Sequence, residues 1–116
     1  MFKRELRSFG FAFKGLSSAF KSEIHLRFHV VLATGVMISS WILAISLVEW
    51  ALIMLSIGLV IVAELVNTAI EKLVDLCQPD FMPLAGKIKD IAAGAVLVAA
   101  LVSAIIGGIV FVPKLI

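Results

Sequence analysis

Three long apolar stretches are the feature that most restricts how this chain can fold. Residues 30–48 and 91–112 contain no charged residue, and residues 50–70 contain only one, Glu64. A helix of about 20 apolar residues spans the hydrocarbon core of a bilayer, which is about 30 Å thick. Because a helix satisfies its own backbone hydrogen bonds, it is stable there without water. The sequence therefore predicts an all-α integral membrane protein with three transmembrane helices.

Composition excludes several other classes of protein. The chain of 116 residues is 62% apolar and 16% charged, whereas soluble domains are about one quarter charged, so it has too few polar residues to cover a soluble domain. Its net charge of +2 comes from basic residues beside the apolar stretches, without the basic and aromatic patch of a nucleic-acid-binding surface. Cys77 is the only cysteine, which excludes an internal disulfide and a thiolate metal cluster.

We predict one domain, residues 1–116, built from five consecutive parts. These are a surface helix over residues 1–27, a first span over 28–48, a second span over 50–75, a cytoplasmic connector over 76–89 and a third span over 90–112. Nine of the ten Lys and Arg residues lie before the first span or between residue 72, at the end of the second span, and the start of the third span. Because basic loops stay in the cytoplasm, the N-terminus and the connector are predicted to be cytoplasmic.

The first 27 residues have an amphipathic helical pattern. Apolar residues recur at spacings of three and four, at Leu6, Phe9, Phe13, Leu16, Phe20 and Ile24. Lysines and arginines lie beside this stripe, as in helices that lie in the headgroup plane of a membrane. The same stripe could instead pack on the helical bundle, and periodicity does not distinguish the two partners.

The second span carries a polar stripe that suggests chemistry. Glu64, Thr68, Glu71 and Asp75 follow one another at spacings of four, three and four, so they share one face of a helix, with Asn67 beside them. Counted from Trp50, Glu64 lies about 21 Å along the helix and Glu71 about 31 Å. Carboxylates at such depths usually mark a functional path. Glu64 is therefore a candidate base for a hydroxyl at headgroup level, and Glu71 a candidate ligand of Mg²⁺ on phosphates.

Each of these residues also has a simpler interpretation. Glu64 and Asn67 could only hydrogen-bond across a helix interface. Asp90 could cap the third span, and Glu23 could be a solvated charge on the surface helix. His25 and His29 could bind zinc as an i, i+4 pair, but without a third ligand we expect only interfacial polarity.

Residues 64–75, ELVNTAIEKLVD, resemble the signature segment of the prokaryotic diacylglycerol kinase family. The resemblance extends through Phe13-Lys14-Gly15, Glu23 and Arg27, and through residues 89–97, KDIAAGAVL. It implies a homotrimer in the bacterial cytoplasmic membrane that transfers phosphate from ATP and Mg²⁺ directly to a lipid hydroxyl. Neighbouring subunits are expected to share each site.

The resemblance also implies roles for individual residues. Glu64 matches the catalytic base, and Asn67 matches a second catalytic position. The metal ligands are expected at Glu23 and Glu71. The expected nucleotide-binding residues are Arg4, Glu23, Glu71, Lys89 and Asp90, and the expected lipid-binding residues are Gly15, Arg27 and Ala93.

The family divides into diacylglycerol kinases and undecaprenol kinases. His25, His29 and the KDIAAGAVL segment are similar to the undecaprenol kinases, so undecaprenol is the favoured substrate and diacylglycerol the second. Met82-Pro83 and Gly86 depart from those relatives, so nucleotide contacts there could differ. Two other classes remain open on the residues alone: a small proton-coupled transporter that uses Glu64, and a structural or pore-forming membrane subunit.

Overall fold

The computed structural model describes all 116 residues and consists of four α-helices without β-strands. The helices are α1 (Phe2–Ser22), α2 (Ile24–Ile42), α3 (Leu47–Cys77) and α4 (Pro83–Leu115). The expected all-helical class is therefore confirmed.

A break at Glu23 separates α1 from α2. Glu23 has an extended backbone, with φ −114° and ψ 110°, and its N–H donates to the carbonyl of Ala19. The Arg27 guanidinium donates to the Lys21 carbonyl at 3.0 Å, which satisfies one of the free carbonyls at the end of α1. The first helix therefore ends at Ser22 and not at residue 27 as predicted. The apolar residues keep their helical spacing past Ser22, but the extended backbone of Glu23 ends the helix.

A tight turn joins α2 to α3. Helix α2 ends at Ile42, six residues before the predicted boundary at residue 48. Ala44 adopts a φ of 50°, a left-handed conformation that costs an alanine about 1 kcal/mol. This residue reverses the chain, so that α2 and α3 run antiparallel, and Leu47 and Val48 belong to α3.

Ser46 and Glu49 form a capping box at the start of α3. The Ser46 hydroxyl accepts from the Glu49 N–H at 3.2 Å, and the Ser46 N–H donates to Glu49 Oε1 at 2.9 Å. Lys114, near the end of α4, lies 3.1 Å from the same carboxylate oxygen. The box fixes where α3 begins, and the ion pair ties α4 to it.

Two prolines fall inside α4 and do not interrupt it. Pro83 occupies the first helical turn, where its fixed φ is favourable and no N–H is needed, after an extended Met82 with φ −146°. The connector therefore shrinks from the predicted residues 76–89 to residues 78–82. Pro113 lies in the last turn, so α4 continues to Leu115 and past the predicted end at residue 112.

Small residues let α3 and α4 pack closely. Ala85, Ala92 and Ala99 are buried at seven-residue intervals along α4. The Ser103 hydroxyl donates across the interface to the carbonyl of Ser56 at 3.1 Å. Short side chains at such an interface allow the two backbones to approach. Helix α2 packs on α3, and α1 packs on both.

Helices α3 and α4 are long and apolar enough to cross a membrane. Only 28% of the most apolar stretch of α3 and 11% of that of α4 are buried, whereas a core helix of a soluble protein is mostly buried. Helix α2, with 19 residues, begins with His25, Arg27 and His29 and does not meet the same criterion. The exposed apolar surface requires lipid or further protein to cover it.

The capping box can be tested with Ser46→Ala. This change removes the side-chain acceptor for the Glu49 N–H, and we expect it to destabilise the fold by about 1 kcal/mol. Thermal unfolding in detergent, followed by circular dichroism, measures the loss. Ser39→Ala is the control, because that hydroxyl bonds only to Gly35 within α2. Equal midpoints for the two variants would contradict the role of the cap.

Candidate active site

Glu64 is buried in the interface between α2 and α3. Its side chain is 8% exposed, and its Oε1 lies 3.2 Å from Nε2 of His29, whose side chain is 18% exposed. Burying a carboxylate is costly unless a polar group compensates it. The contact with His29 provides that compensation from the neighbouring helix.

The polar stripe of α3 passes from the protein interior to the surface. Glu64 and Thr68 are buried, Asn67 and Glu71 are half-buried, and Asp75 is exposed. Of these five side chains, only that of Asp75 is exposed. The one-sided arrangement inferred from spacing is therefore present in the structure.

Asn67 and Glu71 form a polar pair within α3. The Asn67 Nδ2 group donates to Glu71 Oε1 at 3.2 Å, while Asn67 Oδ1 is buried and has no hydrogen-bond partner. A buried acceptor without a partner is rare in native proteins and calls for an explanation. This oxygen is available to a ligand that reaches the Glu71 end of the stripe.

The break between α1 and α2 brings Glu23 to the same end of α3. Glu23 Oε1 lies 3.8 Å from the Lys72 ammonium, and Lys72 directly follows Glu71. No group of three or more His, Cys, Asp or Glu side chains converges within the chain. Glu71 thus pairs with Asn67, and Glu23 lies beside the residue that follows Glu71, without a closed metal cage.

Two further predicted residues lie at the start of α4. The Lys89 ammonium pairs with the exposed carboxylate of Asp75, which links α4 to the end of α3. Asp90 is exposed and forms no side-chain hydrogen bond or ion pair within the chain. Lys89 is therefore near the stripe, whereas Asp90 faces away from any partner in the same chain.

The remaining predicted residues are spread over the surface. Arg4 and Gly15 are exposed on α1, and Ala93 is exposed on α4. Arg27 is half-buried, and its guanidinium bonds to the end of α1 as described above. A single chain does not bring these four residues together with Glu64.

An apolar groove of about 270 Å³ lies beside Glu64, between α2, α3 and α4. His29 lines one end, and Phe111 of α4 lines the other. Between them, residues such as Val36, Ile57 and Val60 make the wall almost entirely hydrophobic. The groove is suited to a hydrocarbon chain, with its polar end at His29.

Sequence patterns alone did not identify His29 as a partner of Glu64. The pair His25 and His29 was attributed to interfacial polarity, but only His29 contacts the carboxylate, while His25 is exposed. A weak signal existed, because folding the chain back at residues 43–46 places residue 29 within about one helical turn of Glu64. The sequence did not show how many residues the turn between α2 and α3 contains, and this number decides which histidine lies beside Glu64.

The contact between His29 and Glu64 makes a testable prediction about stability. Glu64→Gln retains a polar partner for His29 and removes a buried acid, so its thermal midpoint should equal or exceed that of the wild type. Glu64→Leu leaves the imidazole N–H without an acceptor and should be less stable than Glu64→Gln by about 1–3 kcal/mol. Thermal unfolding in detergent compares the two variants. A more stable Leu variant would show that the polar contact is unimportant.

Most of this chain matches a known protein family and several of its members. Residues 10–111 match the family model described as Prokaryotic diacylglycerol kinase. The chain is 43% identical to the undecaprenol kinase of Bacillus subtilis (strain 168) over 97% of its own length and 91% of that relative. It is 38% identical to a diacylglycerol kinase of Synechocystis sp., covering 95% of this chain and 63% of that protein.

A third relative, the diacylglycerol kinase of Escherichia coli (strain K12), is 33% identical over 90% of this chain and 85% of its own length. The region that matches the family model, residues 10–111, contains all four helices except the first turns of α1 and the last residues of α4. The chain therefore belongs to the prokaryotic diacylglycerol kinase family of lipid kinases.

Proposed function

We propose that this protein transfers the γ-phosphate of ATP to the hydroxyl group of undecaprenol, with diacylglycerol as the second candidate substrate. The observation that carries the proposal is the buried Glu64, in contact with His29 at one end of an apolar groove. The 43% identity with an undecaprenol kinase over nearly the full length of both chains supports the choice of lipid.

In this proposal Glu64 is the general base. A lipid chain in the groove between His29 and Phe111 has its polar end beside the Glu64 carboxylate. The carboxylate accepts the hydroxyl proton while the oxygen attacks the γ-phosphorus and ADP leaves. Such a base contributes about 100- to 10,000-fold to the rate, and the apolar walls keep water away from the reacting oxygen.

The oxygen donors at the Glu71 end of α3 fit Mg²⁺. Magnesium prefers carboxylate and carbonyl oxygens, and with nucleotides it usually takes one or two protein carboxylates together with phosphates and water. Glu71, Glu23 and the unpartnered Asn67 Oδ1 provide such donors without a full protein cage. When bound, Mg²⁺ neutralises charge on the β- and γ-phosphates.

Lys89, Asp90 and Arg4 complete the proposed nucleotide site. Lys89 pairs with Asp75 in this chain and would exchange that carboxylate for a phosphate group, which it binds as a point charge. Asp90 and Arg4 are exposed and do not meet Glu64 or Glu71 within one chain. A site that needs all of them favours a homotrimer in which neighbouring subunits contribute residues. Gly15, Arg27 and Ala93 are proposed to contact the lipid.

The proposed topology has three spans and a cytoplasmic N-terminus. Helix α2 is about 28 Å long and returns through residues 43–46 into the spanning helix α3. Because the two helices are antiparallel and meet at one short turn, α2 runs beside about the first 28 Å of α3, which is close to the thickness of the hydrocarbon core. Its histidines and Arg27 then lie near the cytoplasmic headgroups, with the other basic residues.

Transfer of radiolabelled phosphate from ATP to purified lipids tests the proposal. The detergent-solubilised protein should label undecaprenol more efficiently than diacylglycerol, as judged by kcat/KM. Glu64→Gln should reduce kcat by about 100-fold or more, because the base is lost. Glu49→Gln is the matched control, since it makes the same change at the opposite end of α3. A fully active Glu64→Gln enzyme would remove Glu64 from the mechanism.

The magnesium ligands can be tested by titrating the metal. Glu71→Gln should raise the Mg²⁺ concentration for half-maximal activity by about 10-fold, because a neutral amide binds Mg²⁺ more weakly than a carboxylate. Asp80→Asn, an exposed residue of the connector, is the control and should leave the titration unchanged. An unchanged titration for Glu71→Gln would exclude this residue as a ligand.

A further inference from the structure

We infer that His29 is a positioning residue for Glu64, which it holds in the orientation needed to accept the proton of the lipid hydroxyl. The inference rests on the proposed function. The inference goes beyond the proposed function because it gives a role to His29, which is not one of the proposed carboxylates, metal ligands or nucleotide-binding residues. Its basis is the contact between α2 and α3 at one end of the apolar groove.

His29 is the polar partner of the Glu64 carboxylate within the chain. His29 Nε2 lies 3.2 Å from Glu64 Oε1, and no other side chain or backbone N–H of the chain bonds to that carboxylate. A glutamate has three side-chain torsions, and loss of its one polar contact would release them. With the His29 imidazole in contact with Oε1, Oε2 is left to receive a proton from the substrate.

The position of His29 also connects the base to the substrate path. Its ring lines the groove and contacts Glu64, so a hydroxyl that arrives through the groove meets His29 first and lies next to the carboxylate behind it. His25, one helical turn earlier on α2, is exposed and lines no part of that groove. Of the two histidines on α2, only His29 lines the groove and contacts Glu64.

A role in positioning differs from a role in binding ATP. His29 touches Glu64 and the groove but none of the residues proposed to hold the nucleotide. Its loss should therefore lower kcat and leave KM for ATP unchanged. Misplacement of a reacting group costs about 10- to 100-fold in rate, so a decrease of that size is expected.

Two variants of similar size separate the polar contact of His29 with Glu64 from the packing of the side chain. His29→Gln keeps an N–H donor, whereas His29→Met has a similar shape and no donor. In the radiolabel assay, His29→Met should lose about 10- to 100-fold in kcat, and His29→Gln should recover at least several-fold of that loss. His25→Met is the matched control and should remain within about twofold of wild type, because an exposed substitution away from the site rarely matters. Equal activities of the Gln and Met variants would overturn the inference.

A double-mutant cycle tests whether His29 acts through Glu64. In a Glu64→Gln background, His29→Met should cause little further loss of kcat, since the oriented base is already absent. If the two losses multiply, His29 acts independently of Glu64 and the inference is wrong.

The wild-type measurement separates this inference from the proposed function. A wild-type protein that labels no lipid would overturn the kinase assignment and, with it, the role of His29. An active wild type with an equally active His29→Met variant would overturn only the positioning role.

Discussion

A carboxylate buried among apolar helices requires a polar partner, and this requirement links the parts of the structure to one another. Glu64 lies on α3, its partner His29 lies on α2, and the two are held together by the packing of these helices. The compensation of one buried acid thus depends on how α2 and α3 are placed relative to each other. The same placement leaves the apolar groove open next to the carboxylate.

The turn between α2 and α3 sets that placement. Ala44 in its left-handed conformation reverses the chain, and the Ser46 capping box starts α3 immediately afterwards. A shift of one residue in the start of α3 would rotate Glu64 by about 100° around its helix, away from His29. Local chemistry at the outer end of the hairpin therefore controls the geometry of the site at the other end.

The polar stripe of α3 has different surroundings at its two ends. Its buried part, around Glu64 and Thr68, adjoins the groove, while its half-buried and exposed part adjoins Lys72 and Lys89. The proposed lipid and nucleotide substrates need opposite surroundings, and a helix with a buried and an exposed part of one polar face provides both. Phosphoryl transfer needs mainly positioning and charge stabilisation, which such a face can supply without an elaborate fold.

The sequence alone determined the helical class and the shared face of Glu64, Thr68 and Glu71, because apolar length and helical period are local properties. It also carried the family resemblance in residues 64–75. The sequence predicted the helix ends less accurately. The break at Glu23, the turn at Ala44 and the start of α4 at Pro83 depend on the backbone conformation of the residues around them. Only the tertiary structure decided which histidine meets Glu64, because that contact joins residues 35 positions apart and depends on how two helices pack.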